Sequence, residues 1–493
     1  MNRTPTELIL PACVRGDTLV SALVPFPGRT AQTAFQGPAF QSPDPWTLLP
    51  LLPLRDPTRM RDLQELPHAE IVAFLAQVGK NLELPRNPFL QEALHHCERW
   101  SEIPPSLLRA NFAALPALFT ADAVSEVANT QIGAPFLDGW NTVTLGDGRR
   151  GAVRAFGART VHIIAGNVPA VAAMTVIRSA ITRSDAVIKT PSNDPFTATA
   201  IVRTMYATDS EHPLARHTSA AYWRGGDEEF EQQLYRPELV EKIVAWGGLD
   251  SIRYITRYIQ PGLELISLDP KRSASLVGPE ALADPTALAD VARRIAVDAA
   301  AYNQMLCVNA RVVHVITGSD PQLVSRVEQL GKLVHEAIQA LPPDISTASA
   351  HLDPELQEYL HALRYSPDWY SVISGKPGAG AVVISWVGEP VDFHRLLSGR
   401  VVNLVPVDDL DTAVRSLSSW TQTVGVYPDT LKDKIRNLLP LFGVQRIVSL
   451  GIAPFLHQAL PQDSIEPVRR MIKWVVDETP PPADRHQRES DLS

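Results

Sequence analysis

The sequence predicts an α/β fold built on parallel sheets. Three observations carry this. Val161-His162-Ile163-Ile164-Ala165 reads as a buried strand that ends in the turn Gly166-Asn167-Val168-Pro169. Ala170 to Ile181 then reads as a helix and Ala186 to Lys189 as a second short strand; strand, helix, strand at this spacing is a βαβ unit, which implies a parallel sheet. Strand and helix signals keep alternating from 161 to about 300, and a second α/β region starts at Cys307 and runs to about 440.

The elements follow in order. Residues 1–60 are rich in proline (Pro25, Pro27, Pro38, Pro43, Pro45) and read as extended or edge structure. Leu63 to Leu84, Pro88 to Trp100 and Pro105 to Leu118 read as helices, the last with proline in its first turn. Asn141-Thr142-Val143-Thr144-Leu145 and Gly151-Ala152-Val153-Arg154-Ala155-Phe156 flank Gly146-Asp147-Gly148, a hairpin pattern. Lys242 to Trp246 reads as a strand, Gly247-Gly248 as a turn and Leu249 onward as a helix start, and backbone N–H groups at such a helix start suit a pyrophosphate. The small-residue run Asp298-Ala299-Ala300-Ala301 reads as helical and Arg311 to Ile316 as a strand, which sets Cys307 between a helix and a strand. Thr479-Pro480-Pro481-Pro482 and the residues beyond it are polar and proline-led and read as a disordered tail.

Composition bounds the function. A chain of 493 residues with 45% hydrophobic residues can bury large cores and holds two or three domains. A net charge of −9 gives no electrostatic case for nucleic acid. Three cysteines, Cys13, Cys97 and Cys307, make no disulfide framework and argue for a reducing compartment. The start of the chain lacks the apolar stretch of a signal peptide, and the apolar run from Ile163 to Ile177 is too short and too interrupted to span a membrane. The expectation is a soluble cytoplasmic protein with no membrane span.

The chemistry gathers at Cys307. A thiol between a helix and a strand can face a cleft, although free cysteines are among the most buried residues. Asn167 and Lys189 fall at the carboxyl ends of their strands, the edge where open parallel sheets bind ligands. A thiolate attacking an acyl carbonyl creates an oxyanion, and an Asn amide is suited to stabilise it. Two other features carry less. Adjacent side chains in His95-His96-Cys97 rarely converge on one ion, so no metal is expected there. His162 reads as a hydrogen-bonded core histidine, and Arg469, Arg470 and Lys473 as a helix face rather than a phosphate patch.

Gly166-Asn167-Val168-Pro169, Val187-Ile188-Lys189-Thr190-Pro191-Ser192, Ala245-Trp246-Gly247-Gly248 and Gln304-Met305-Leu306-Cys307 follow the motif order of the aldehyde dehydrogenase superfamily. The wider pattern resembles one branch, the LuxC-type acyl-CoA reductases, through Trp420-Thr421-Gln422-Thr423-Val424-Gly425, Gly443-Val444-Gln445-Arg446 and Leu460-Pro461-Gln462-Asp463-Ser464. The resemblance covers roughly residues 60–478. It implies an aldehyde-dehydrogenase-like fold: a Rossmann-type cofactor domain over 61–303, a thiol domain over 304–440, and a segment over 441–478 packing back. It also implies that Cys307 is the nucleophile, that Asn167 and the Cys307 N–H hold the oxyanion, and that Lys189, Thr190, Ser192, Gly247 and Gly248 bind a nicotinamide cofactor. Many NAD-using relatives carry Glu where Ser192 stands, so NADPH is expected, with NADH possible and Asp194 arguing the other way.

The departures from the superfamily pattern shape the reaction. Ser267 in Ser267-Leu268-Asp269-Pro270-Lys271 occupies the place of the Glu that activates water in hydrolytic members, and Glu264 lies three residues before it. Serine is a poor base near neutral pH. A later Glu-x-Phe-Gly-Pro motif is replaced by Leu396-Leu397-Ser398-Gly399-Arg400, with Arg400 and Gln422 as candidate substitutes for its ribose-binding Glu. The expected reaction is NADPH-dependent reduction of a medium or long acyl thioester, on CoA or an acyl-carrier protein, to the aldehyde. A homo-oligomer and an acyl-transferring partner protein are further expectations. The alternatives are an oxidative aldehyde dehydrogenase, an acyl-phosphate reductase, or a non-catalytic acyl-binding subunit of the same fold.

Overall fold

The computed structural model describes residues 8–29, 36–101, 103–146, 148–349, 352–376 and 378–479. Two seven-stranded sheets form the body. In the first, the strands Glu264–Leu268, Lys242–Trp246, Arg159–Ile163, Asp185–Lys189 and Thr218–Ala221 run parallel in that spatial order. The proline-rich start then extends this sheet: Ala12–Val14 pairs antiparallel with Thr218–Ala221 and with Asp17–Leu19. The helix Ala170–Ile181 connects two neighbouring parallel strands, so the βαβ unit read from the sequence is present.

The parallel strands are buried on both faces, which is why they read as near-continuous apolar runs rather than alternating ones. One face packs on helices that include His68–Asn81, Pro88–Trp100 and Pro105–Leu118. The single helix expected from Leu63 to Leu84 is two, Arg61–Glu65 and His68–Asn81. Pro67 separates them: it has no N–H to continue a helix, and Leu66 before it is extended at ψ 119°.

The second sheet has the order Tyr370–Ser374, Ala381–Ser385, Val401–Val407, Ala310–Ile316, Arg272–Val277, Thr421–Tyr427 and Arg446–Ser449. All neighbours are parallel except the first pair. Arg272–Val277 and the helix Pro285–Ala300 belong here, so the chain changes sheets between Leu268 and Arg272, ahead of the boundary expected at 304. Strand and helix periodicity do not reveal which sheet an element joins; only pairing does.

The hairpin Asn141–Thr144 with Arg150–Phe156 forms as expected, and Lys473–Thr479 pairs antiparallel with it as a third strand. The segment after 440 therefore packs back twice, once on each of two sheets. Asp147 of the hairpin turn, and residues 480–493 of the expected tail, lie outside the described residues. Among the described residues no single helix is long and apolar enough to cross a membrane.

Candidate active site

The carboxyl ends of the first sheet face the start of the second across a cavity of about 1270 Å³. Asn167 follows the strand Arg159–Ile163 and Lys189 ends the strand Asp185–Lys189, so parallel pairing brings their loops side by side. Cys307 comes from the other sheet, three residues before the strand Ala310–Ile316. All three line the cavity. Asn167 Nδ2 donates to the Met305 carbonyl at 3.0 Å, which ties the expected oxyanion donor to the loop of the nucleophile.

That loop is held in an unusual conformation. Tyr302, Asn303 and Gln304 all have positive φ, at 53°, 52° and 63°. Non-glycine residues held there cost on the order of 1–3 kcal/mol each and need support. Gln304 bridges two strands, donating to the Val401 carbonyl at 2.7 Å and the Ala310 carbonyl at 3.2 Å and accepting from the Val401 N–H at 3.0 Å. The Asn303 side chain accepts from Ser346 Oγ and the Thr347 N–H. Asn309 accepts from the Leu306 N–H at 2.9 Å, and Ser273 Oγ donates to the Cys307 carbonyl at 2.8 Å. The thiol is half-buried, and burial together with the nearby Asp463 pushes it up to about 11, against smaller lowering effects from Gln422 and Arg311.

Gly166 fits the loops after the two strands together. A Cβ there would lie 2.4 Å from Asn193 Oδ1 and 2.8 Å from Pro191 Cγ. We expect Gly166→Ala to displace the Asn167 loop. The measurable result is a destabilisation of about 1–3 kcal/mol in chemical denaturation, with reduced turnover because Asn167 is moved.

The cofactor-side residues divide. Lys189 Nζ lies 5.7 Å from the Trp223 ring centroid and 6.0 Å from that of Tyr222. Burial pulls it down to about 8, with Glu231 partly opposing. Ser192, Gly247 and Gly248 line the same cavity, and Gly248 is the N-cap of the helix Leu249–Thr256, with open space where a Cβ would be. Thr190 is different: it is fully buried, its N–H donates to the Ala221 carbonyl at 3.0 Å, and it sits outside the cavity lining. These features fit a dinucleotide. Lys189 could hold a sugar hydroxyl of such a group, and Gly248 with the helix behind it a phosphate.

Glu264 lies outside the cavity lining. It begins its strand, bound by Lys242 Nζ at 2.6 Å and Arg470 Nη2 at 2.6 Å, and these hydrogen bonds outweigh burial and hold its carboxyl low. Ser267 is three residues nearer the cavity, a separation of roughly 10 Å along a strand. Arg400 is also excluded as a cofactor ligand: it is buried at φ 72° and donates to the Ile338 carbonyl. Asp194 accepts from the Phe196 and Thr197 N–H groups and from Thr197 Oγ1 and lies outside the cavity lining. His162 is a neutral core histidine between Thr160 and Ser179, pushed down to about 3 by burial and Arg178. Cys97 is buried against Asp194. Lys473 pairs with Glu241, and Arg469 stacks on Trp474.

Several cavity residues carry little signal in the sequence. Glu231, Arg224, Arg178 and the segment Pro454–Gln462 all line it. Only the Leu460-to-Ser464 pattern pointed toward them.

Two sheets meeting at a half-buried thiol, with an Asn amide and a strand-end Lys in one cleft, define the aldehyde dehydrogenase fold. The structure superposes on an NADP-dependent glyceraldehyde-3-phosphate dehydrogenase from Bacillus halodurans complexed with NADP at TM-score 0.71 and 14% identity, covering 96% of this chain and 99% of the other. Aldehyde dehydrogenase 21 from Physcomitrella patens superposes at TM-score 0.72 and 12% identity, covering 96% and 98%. Within this fold the chain belongs to the acyl-CoA reductase (LuxC) family, whose model matches residues 63–474. It is 27% identical over 417 residues to a long-chain acyl-protein thioester reductase of Aliivibrio fischeri, covering 83% of this chain and 82% of the relative. A protein of the same description from Photorhabdus laumondii is 26% identical over 421 residues, covering 83% and 82%.

Proposed function

We propose that the chain reduces a medium or long acyl thioester, on CoA or a carrier protein, to the aldehyde with NADPH. The observation that carries this is the single cleft in which Cys307 and Asn167 join two differently lined walls. One wall is apolar, with Leu118, Val171, Met174, Leu456 and Leu460. The other holds Lys189, Ser192 and the Gly247–Gly248 turn. The first suits an acyl chain and the second a dinucleotide.

The chain's residues act as follows. Cys307 gives up its proton, its sulfur bonds to the acyl carbon, and the carrier thiol leaves with a proton. Asn167 and the Cys307 N–H stabilise the oxyanion in this step and again in the hemithioacetal. Bound in the second wall, the nicotinamide supplies the hydride. Collapse of the hemithioacetal breaks the C–S bond, frees the aldehyde and restores the sulfur of Cys307. With Ser267 at the place of the water-activating Glu, the acyl-enzyme persists until hydride reaches it. Intact-protein mass spectrometry tests this: acyl-CoA alone should leave an acyl group on Cys307 for minutes, and NADPH should discharge it as aldehyde. Rapid hydrolysis to the acid without cofactor would favour the oxidative alternative.

NADPH is favoured by the charges near Ser192. Asp194 is turned away, and Arg224 lines the cavity, exposed and with no ion pair to any described residue. A 2′-phosphate beside Ser192 would meet a hydroxyl there, with Arg224 in the same cavity and the Glu231 carboxylate on the Lys189 side. Arg224→Ala should weaken NADPH binding about 10- to 100-fold and NADH binding little, by fluorescence titration. Equal weakening of both would remove Arg224 from this role.

A homo-oligomer is supported by the three-stranded sheet, which exposes Trp140, Val143, Leu145 and Val476. Three unpaired cysteines support a cytoplasmic setting.

A further inference from the structure

The helix Ala170–Ile181 brings Val171, Met174 and Arg178 to the cavity at helical spacing. The first two belong to the apolar wall. The third is a guanidinium that the proposed reaction leaves unused. Arg178 is 5% exposed. Its side-chain hydrogen bond among the described residues runs from Nη2 to Gln462 Oε1 at 3.1 Å, and its Cζ lies over the Trp246 ring, 5.3 Å from the centroid. Nε and Nη1 are buried without a partner among the described residues. A guanidinium carries five N–H donors, so one contact leaves four unmet.

The charge is unanswered too. Among the described residues Arg178 has no ion pair: the carboxylate nearest in effect, Asp463, accepts from Gln422 instead. Burial pulls the guanidinium down to about 10, with Asp463 opposing through space, so it stays a cation at neutral pH. Other cations in the cavity are engaged. Lys271 pairs with Asp269 at 3.6 Å, and Arg311 donates to the Asn309 and Gln304 carbonyls at 3.2 and 3.4 Å. A buried charge without a counter-ion is among the costliest features a fold can keep, and an entering anion would relieve it.

The surroundings indicate which anion. The wall beside Arg178 is alkyl: Val171 and Met174 on the same helix, with Leu118, Leu456 and Leu460 in the same cavity. A planar guanidinium matches a carboxylate in a two-pronged pair. We infer that the cleft also binds a free medium- or long-chain carboxylate, its alkyl chain on this wall and its head on Arg178. The head would replace Gln462 Oε1 as acceptor for Nη2 and bring Nη1 into use. Such an acid has the skeleton of the acyl group without its carrier, so it competes with the thioester. This inference rests on the reading that the apolar wall receives the acyl chain, and it needs no turnover.

Calorimetric titration of the full chain with decanoate and with decanol near neutral pH tests it. The wild type should bind decanoate at least about 10-fold more tightly than decanol. Arg178→Met removes the charge at similar length; it should weaken decanoate about 10- to 100-fold and leave decanol within about threefold. In wild-type turnover, decanoate should raise KM for acyl-CoA and leave kcat unchanged. Equal wild-type affinity for the two ligands would overturn the inference, whatever the variant does. So would a preference that survives in Arg178→Met, because the charge would then lie elsewhere. If Arg178→Met loses decanol as well, Arg178→Lys decides: it keeps a cation in place and should retain a several-fold preference, and loss of that preference would also overturn the inference. Failure of the wild type to bind either ligand would remove the acyl-wall reading together with the inference, whereas decanol binding without a preference removes the inference alone. If decanoate is preferred and no thioester is reduced, the anion site stands and the reaction assignment fails.

Discussion

Replacing Cys307 with Ser should abolish aldehyde formation, by at least ~1000-fold in kcat, and leave the fold intact. The swap changes one atom at a half-buried position whose loop is held by other groups: Gln304 on Val401, Asn309 on Leu306, and Ser273 on the Cys307 carbonyl. A serine hydroxyl has essentially no anionic fraction at neutral pH. His162 cannot activate it, since it is buried between Thr160 and Ser179. Labelled acyl-CoA should mark Cys307 in the wild type and nothing in the variant. Cys13 and Cys97 provide internal controls, because both are buried and burial raises both thiols strongly. Label on either of them, or an active serine variant, would show that the nucleophile is elsewhere.

Asn167→Ala should cost about 100- to 1000-fold in kcat, as loss of one oxyanion donor typically does, with a much smaller change in KM. Among the described residues the amide's hydrogen bond is to the Met305 carbonyl, so truncation removes one hydrogen bond from the loop. The loss should appear in both half-reactions, because the oxyanion forms once on acylation and again on hydride transfer. Single-turnover acylation of Cys307 and discharge of the preformed acyl-enzyme separate the two. A variant impaired in discharge alone would place Asn167 at the cofactor rather than at the carbonyl oxygen. Asn167→Asp, which swaps a donor for an anion at almost unchanged volume, should be at least as slow.

How much of this was legible beforehand follows the range of the interactions involved. The βαβ unit, the 141–156 hairpin and the placing of Asn167 and Lys189 at strand ends are local. They depend on apolar runs, turn residues and spacing over a few tens of residues, and these stand in the sequence. The family motifs added Ser192 and the roles of Cys307 and Gly247-Gly248, and all of these residues line the cavity. Thr190 illustrates the limit of a motif read residue by residue. It shares the stretch with Lys189 and Ser192, yet the period-two alternation of an extended chain turns it from the cleft onto the Ala221 carbonyl.

Tertiary structure alone decided the rest, because it depends on which distant segments pair. Arg272–Val277 reads as a strand in sequence, but its sheet is set by its partners Ala310–Ile316 and Thr421–Tyr427. That Glu264 is turned to Lys242 and Arg470 at the start of its strand, and that the cavity lining begins only at Leu268, are likewise matters of tertiary contact. The contact between Gln422 and Asp463 joins a sheet strand to a turn near the end of the fold, and each residue by itself is an ordinary polar side chain. The sequence by itself determined the chemistry available at the site, a thiol, an amide and a strand-end lysine in an α/β frame. The fold decided which charges surround that thiol, since burial and Coulomb interactions act through space and carry no trace of order along the chain.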